Sequence, residues 1–249
     1  MELSRPKIEI CCFNVQSVLI AEKAGADRVE LCANYLEGGT TPSFATIKLA
    51  KERSNIAIHV IVRPRGGDFY YSDVEFDVVK QDVMMCKEMG IDGVVLGFLT
   101  PDGHVDIQKC IEISELASPM SINFHRAFDK VIDPFIALTD IINLGFDRIL
   151  SSGLKPKVTQ GIDILKELLD KANDQIIIMP GSGINANNIA SIHKKLNAQE
   201  YHLTAKRFIS SKMQFNNPEV QFSDHPELND NSIIEADLVE IQKVISALS

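Results

Sequence analysis

The sequence predicts one α/β domain, a (β/α)8 TIM barrel, and three observations carry that prediction. Eight short runs rich in aliphatic and β-branched residues alternate with eight longer stretches of helical periodicity across 249 residues, the pattern of a chain winding a parallel sheet. Three helical stretches stop alike, at Ala24-Gly25-Ala26-Asp27, Met89-Gly90-Ile91-Asp92 and Leu144-Gly145-Phe146-Asp147. Each has a glycine suited to a left-handed helix end and a strand close behind it. No Gly-x-Gly-x-x-Gly follows the first strand, which weighs against the runner-up, a doubly wound sheet. α/β barrels reach this length as single domains, and no Pro/Ser-rich linker or low-complexity tract divides residues 1–249.

The first strand is expected near 8–13 and reads Ile8-Glu9-Ile10-Cys11; the second, near 27–32, reads Val29-Glu30-Leu31-Cys32. Alternation puts each Glu on one face with its own Cys, while the aliphatic residues suit packing beneath helices near 15–24 and 42–53. Thr41-Pro42 joins an N-cap to a first-turn proline at the second of these. Glu9, Cys11, Glu30 and Cys32 then point into the barrel, where carboxylates are costly unless paired or protonated. Arg28, His59 and Arg63 are candidate partners. Cys12 faces the other way, and Cys86 and Cys110 fall on predicted helices, so these three read as small buried hydrophobes.

The third strand, near 56–63, runs out into Arg63-Pro64-Arg65-Gly66-Gly67-Asp68-Phe69. Guanidinium forks suit carboxylate or phosphate, and adjacent glycines free the backbone. The segment reads either as an Arg–Asp pair pinning a turn or as an anion-recognition lip, with Arg63 neutralising Glu9 or Glu30 and Arg65 the freer contact. A helix near 74–89, a strand near 92–98 and a helix near 106–117 follow. The fifth strand, near 120–125, ends in His125-Arg126, with Asp129 just beyond. His125 suits proton transfer near neutral pH, and Arg126 and Asp129 suit an ion pair. His125, Glu30, Arg63 and Asp68 are the candidate catalytic residues.

After a helix near 132–144, opened by Asp133-Pro134, the sixth strand near 147–152 ends in Ser151-Ser152-Gly153, and a helix near 160–172 follows. The seventh strand, near 175–180, leads into Gly181-Ser182-Gly183 and a helix near 186–196; the eighth, near 200–204, ends at Thr204. Glycines ahead of a helix expose N–H groups that cradle phosphate, and barrels build that site from the loops after strands seven and eight. Arg65, Ser152, Gly153, Gly181, Gly183 and Thr204 are therefore the candidate ligand-binding residues. The barrel core spans about 8–205. Residues 206–230, with Asn216-Asn217-Pro218, read as a long polar loop, and 231–249 as a C-terminal segment with a helix near 233–247.

A net charge of −9 argues against nucleic-acid or anionic-membrane partners. No apolar run approaches the roughly 20 residues that cross a bilayer, and the N-terminus carries no apolar signal region. Five cysteines without a disulfide-framework spacing fit a reduced cytoplasm. Thiolates favour Cu(I) or zinc, which makes Cys11 and Cys32 candidate metal ligands.

Glu-x-Cys-Cys (9–12), Ala-Asp-Arg-Val-Glu-Leu-Cys (26–32), Glu-Gly-Gly-Thr-Thr-Pro-Ser (37–43), Arg-Pro-Arg-Gly-Gly-Asp-Phe (63–69) with Tyr71-Ser72-Asp73, Phe-His-Arg-Ala-Phe-Asp (124–129) and Leu-Ser-Ser-Gly (150–153) together resemble the CutC copper-homeostasis family over about residues 8–205. The resemblance implies a cytoplasmic (β/α)8 barrel, commonly a homo-oligomer, linked to copper tolerance. It places Cys11 and Cys32 where the family has candidate copper thiolates, beside a pocket of Glu9, Glu30, Arg63, Asp68, His125 and Arg126. Thr204 stands where the family often has Ser, which keeps the hydroxyl. Two functions are therefore expected as alternatives: copper homeostasis through Cu(I) on Cys11 and Cys32, or an enzyme acting on a small anionic or phosphorylated metabolite.

Overall fold

The computed structural model describes residues 5–215, 217, 219, 220 and 230–248. Eight parallel strands alternate with helices: β1 (Lys7–Cys12), α1 (Val15–Ala24), β2 (Arg28–Leu31), α2 (Phe44–Arg53), β3 (Ala57–Ile61), α3 (Asp73–Glu88), β4 (Gly93–Leu96), α4 (Ile107–Ala117), β5 (Ser121–Phe124), α5 (Pro134–Asn143), β6 (Arg148–Ser151), α6 (Ile162–Ala172), β7 (Ile177–Pro180), α7 (Ile189–Leu196) and β8 (Glu200–Leu203). The sheet order β7-β6-β5-β4-β3-β2-β1-β8 follows the chain, with β8 beside β1. A parallel bridge from Gly181 to His202 brings the two edges together, so the predicted barrel is the observed architecture.

The thrice-repeated helix stop has a physical basis. Gly25, Gly90 and Gly145 all adopt positive φ, and each is followed two residues later by an aspartate that ties neighbouring strands together. Asp27 accepts from the Ile8 N–H at 2.8 Å, Asp92 from Ile58 at 3.0 Å and Asp147 from Ile122 at 2.8 Å. The same three aspartates donate their own N–H back to the Ile8, Ile58 and Ile122 carbonyls. The motif is thus a clamp at the N-terminal end of the barrel, repeated because the strand pair it closes is repeated.

Strand alternation sorts the side chains into two environments. Ile8, Ile10, Val29, Leu31, Ile58, Val60, Val94 and Leu96 face outward and are buried beneath the helices. Burying side chains of this size stabilises by about 1.5–3 kcal/mol each. The inward positions carry the polar and sulfur-bearing groups: Glu9, Cys11, Arg28, Glu30, Cys32, His59, Asn123, Glu200 and His202, all buried. The apolar shell therefore holds the barrel together and leaves its interior open to chemistry.

The C-terminal region departs from the sequence expectation. Residues 206–210, predicted as loop, form β9 (Lys206–Ser210), which pairs antiparallel with β10 (Ser232–Ala236) where a helix was predicted to begin. Helix α8 (Leu238–Ser246) starts only after Asp237, whose side chain caps the Val239 and Glu240 N–H groups. Ile233 and Ile234 satisfy a helical pattern and a strand pattern equally well, and ladder partners distant in sequence decide for the strand. Residues 216, 218 and 221–229 of the predicted loop lie outside the described residues.

Candidate functional site

Inside the barrel, β1, β2 and β8 bring thiols, carboxylates and an imidazole together. Strand register sets Cys11 opposite Glu30 and Glu9 opposite both Arg28 and His202. The Cys11 and Cys32 sulfurs are 3.6 Å apart, and the Cys32 thiol donates to a Glu30 carboxylate oxygen at 3.2 Å. His202 Nδ1 lies 2.7 Å from Glu9, and its Nε2 is 3.8 Å from Glu30. The ligating atoms of Cys11, Glu30 and Cys32 lie within 4.8 Å of one another, as do those of Glu9, Glu30 and His202.

Burial and neighbouring charge set the protonation states. Burial pushes the Cys32 thiol well above its ordinary value, and Cys11 adds to the effect. Burial likewise raises Glu30, which His202 opposes only in part. For His202, burial disfavours charge, yet the Glu30 and Glu9 carboxylates outweigh it and hold the imidazolium well above the usual range. Glu9 goes the other way: burial opposes its ionisation, but Arg28 and His202 keep it well below the usual carboxylate range. The cluster at neutral pH thus includes a protonated Cys32 thiol, a carboxyl with raised affinity for a proton, and a His202–Glu9–Arg28 chain of alternating charge.

Above this cluster the C-terminal strand ends open into a cavity of about 290 Å³. Its wall includes Cys11, Glu30, Arg63, His125, Arg126, Ser182, Gly183, His202 and Thr204, with Phe13, Tyr35, Ile61, Phe69, Leu150 and Leu203 as its apolar part. Barrels place ligand sites at this end. His125 is buried and held low, to about 3, first by burial and then by the charge of Arg63. Its Nδ1 accepts from the Ala127 N–H at 3.2 Å.

Several sequence-predicted residues sit elsewhere than expected. Arg63 neutralises neither Glu9 nor Glu30; it donates to the carbonyls of Glu37 at 2.7 Å, Gly39 at 2.8 Å and Gly67 at 2.8 Å. Arg28 takes Glu9 instead, because register makes them direct neighbours. Arg65 is no free anion contact: it pairs with Glu75 at 2.5 Å and Asp68 at 3.0 Å, outside the mouth cavity. The Arg–Asp turn is therefore the reading that Arg65 and Asp68 fit. A side chain at Gly66 would meet the Glu37 carboxylate, which would have to move aside.

Gly153 is packed against the Gly161 backbone, and Ser152 bonds Asp129 at 2.9 Å, so neither lines the cavity. Gly181 is also absent from its wall, whereas Gly183 and Thr204 belong to it. Arg126 and Asp129 form the expected pair at 2.7 Å. His59 bonds Asn123 at 2.8 Å in the barrel interior, and Cys12, Cys86 and Cys110 are buried in the apolar core. His202 was missed. Its signal was available, since alternation along Glu200-Tyr201-His202-Leu203-Thr204 turns His202 inward with two polar neighbours.

Comparison with known proteins shows the family. A sequence profile of the CutC family matches residues 6–207. The chain is 43% identical over 213 residues to the mouse protein named copper homeostasis protein cutC homolog, covering 86% of this chain and 78% of that one. It is 48% identical over 214 residues to a CutC family protein of Parabacteroides distasonis, covering 86% and 88%. The crystal structure of the CutC protein of Streptococcus agalactiae superposes with a TM-score of 0.77 at 33% identity, over 80% of this chain and 98% of the other.

Proposed function

The chain belongs to the CutC family, and from that premise we propose that it is a cytoplasmic copper-homeostasis protein holding Cu(I) between Cys11 and Cys32. The observation that supports this most is the 3.6 Å separation of two free, inward-facing sulfurs at the barrel mouth. Soft thiolates select Cu(I) over the hard cations that carboxylates prefer. The cytoplasmic placement rests on the five free cysteines, which belong to a reducing compartment.

The neighbouring groups suit the protons and charge that such binding moves. Both thiols must lose their protons to become ligands, and burial makes Cys32 hold its own. Glu30 accepts the Cys32 hydrogen bond at 3.2 Å and has a raised affinity for protons, so it is placed to take that proton. Two thiolates around a monovalent cation leave one negative charge, which the His202 imidazolium beside Glu30 offsets.

Competition for Cu(I) between the reduced protein and a chelator tests the reading. Cys11→Ser and Cys32→Ser are each expected to weaken binding more than about a hundredfold, beyond what loss of an outer partner costs. Unchanged affinity in the double variant removes the site.

A further inference from the structure

The wall of the mouth cavity away from the thiols carries groups that a soft cation does not use. Arg63 is 4% exposed, yet among the described residues no carboxylate pairs with it. Its Nη1 and Nη2 donate to carbonyl oxygens, its charge acts on the buried Tyr71 hydroxyl, and its buried Nε makes no well-formed hydrogen bond among the described residues. The Arg63 guanidinium carbon lies 5.1 Å from the centre of the Phe69 ring, and that ring lies 4.8 Å from His125.

His125, 5% exposed, adds a second unmade bond. Its Nδ1 accepts from Ala127, so the proton of the neutral ring sits on Nε2, and that buried N–H has no partner among the described residues. A buried donor left unmade costs about 1–3 kcal/mol. Arg126 engages Asp129, Ser152 and the Lys155 carbonyl through Nε and Nη2, which leaves Nη1 without a protein partner among the described residues. The cavity wall therefore carries the guanidinium groups of Arg63 and Arg126 against a single acid, Glu30, in a chain whose net charge is −9. Guanidinium and N–H groups repel a metal cation and attract an oxyanion. The volume of about 290 Å³ is at the small end of ligand pockets.

We propose that the mouth cavity binds a small organic oxyanion, a carboxylate or a phosphate monoester. The anion accepts a hydrogen bond from His125 Nε2 and lies in the field of Arg63 and Arg126, with its carbon body against Phe13, Phe69 and Leu203. The site is separate in its chemistry from the thiol pair: it needs donors and positive charge, and it forms in the copper-free protein.

The test uses reduced, copper-free protein titrated calorimetrically with benzoate, 2-oxobutyrate, glycerol 3-phosphate and inorganic phosphate. The His125 Nε2–H resonance is followed in parallel by proton–nitrogen NMR. His125→Asn is the variant of choice, because an Asn oxygen can keep the Ala127 N–H capped while the Nε2 donor is lost. At least one organic anion is expected to bind wild type, shift the His125 Nε2–H signal and bind His125→Asn about tenfold or more weakly. Preference for the carboxylates or for glycerol 3-phosphate identifies the head group. Binding of inorganic phosphate alone, equal affinity in the variant, or no binding by any probe overturns the proposal. The wild-type NMR shift decides the matter even if the variant does not fold.

Discussion

The two ends of the barrel interior bury charge in opposite ways. At the N-terminal end every buried charge meets another: Arg28 bridges Glu9 and Glu200, and Arg148 completes the chain to Glu200 at 2.9 Å and to Ser121 at 2.8 Å. At the C-terminal end, among the described residues, Arg63 has no acid, its Nε and His125 Nε2 make no well-formed hydrogen bond, and the sulfurs of Cys11 and Cys32 face each other. A charge needed only for structure has to be closed within the protein, because an open one is costly. Buried donors left open call for a specific explanation, and in a barrel the strand C-termini are where a ligand supplies it.

Breaking the closed end is expected to have the largest effect. Arg28→Met leaves Glu9 and Glu200 buried without their shared partner, a change that costs about 3–5 kcal/mol in comparable pairs. Urea denaturation at neutral pH reads this directly, and a loss below about 1 kcal/mol would mean the network is not what closes that end. The pH dependence has a definite sign. Glu9 and Glu200 both have folded pKa values below the ordinary 4.5. Their stabilisation is therefore present above that value and lost as pH falls through the folded values. The difference between wild type and Arg28→Met should shrink below about pH 4.5.

The open end titrates in a different window. The folded pKa of His125 falls from 6.5 to about 3, so the unfolded chain takes up a proton that the folded one refuses. That lowers stability as pH drops below 6.5, by about 2 kcal/mol between pH 7 and pH 5 for a shift of this size. His125→Asn removes this contribution, so the variant should lose about that much less stability than wild type over the same interval. His59, which falls to about 4, remains in both proteins and cancels in the comparison. Parallel pH profiles would show that His125 is not held neutral in the folded state, and the Nε2 donor would lose its basis.

Much of this contrast was legible in the sequence, and the limits have physical causes. The strands were readable because outward Ile and Val alternate with inward polar residues, and because Gly25, Gly90 and Gly145 mark helix ends. Inward placement of Glu9, Cys11, Glu30 and Cys32 followed from the same alternation. Pairing was harder, since it depends on which strands become neighbours and in what register. Arg28 captures Glu9 through the β1–β2 register, and nothing local to Arg63 announces that it will bond carbonyls. β10 was hidden because Ile233 and Ile234 pair with Ile209 and Phe208, partners more than twenty residues back in a polar stretch. His202 was readable by alternation and became meaningful only once β8 lay beside β1.

The smallest effect is expected at Arg65, and it tests where the open end stops. Arg65 sits in the same motif as Arg63 but is 37% exposed, with Glu75, Asp68 and the Tyr70 carbonyl as partners and the Tyr71 ring 5.1 Å away. Glu75 also completes the capping box of α3 with Ser72. Every cationic contact of Arg65 is therefore already made inside the protein, at a site where solvent screens the pairs. Exposed ion pairs contribute about 0–1 kcal/mol, so Arg65→Ala should cost about 1 kcal/mol and leave both Cu(I) and organic-anion affinity at wild-type values. A tenfold loss of anion affinity in Arg65→Ala would carry the ligand-facing region out onto the lip. Closure would then be a poor guide to which charges serve the fold, since Arg65 is closed by the same standard as Arg28.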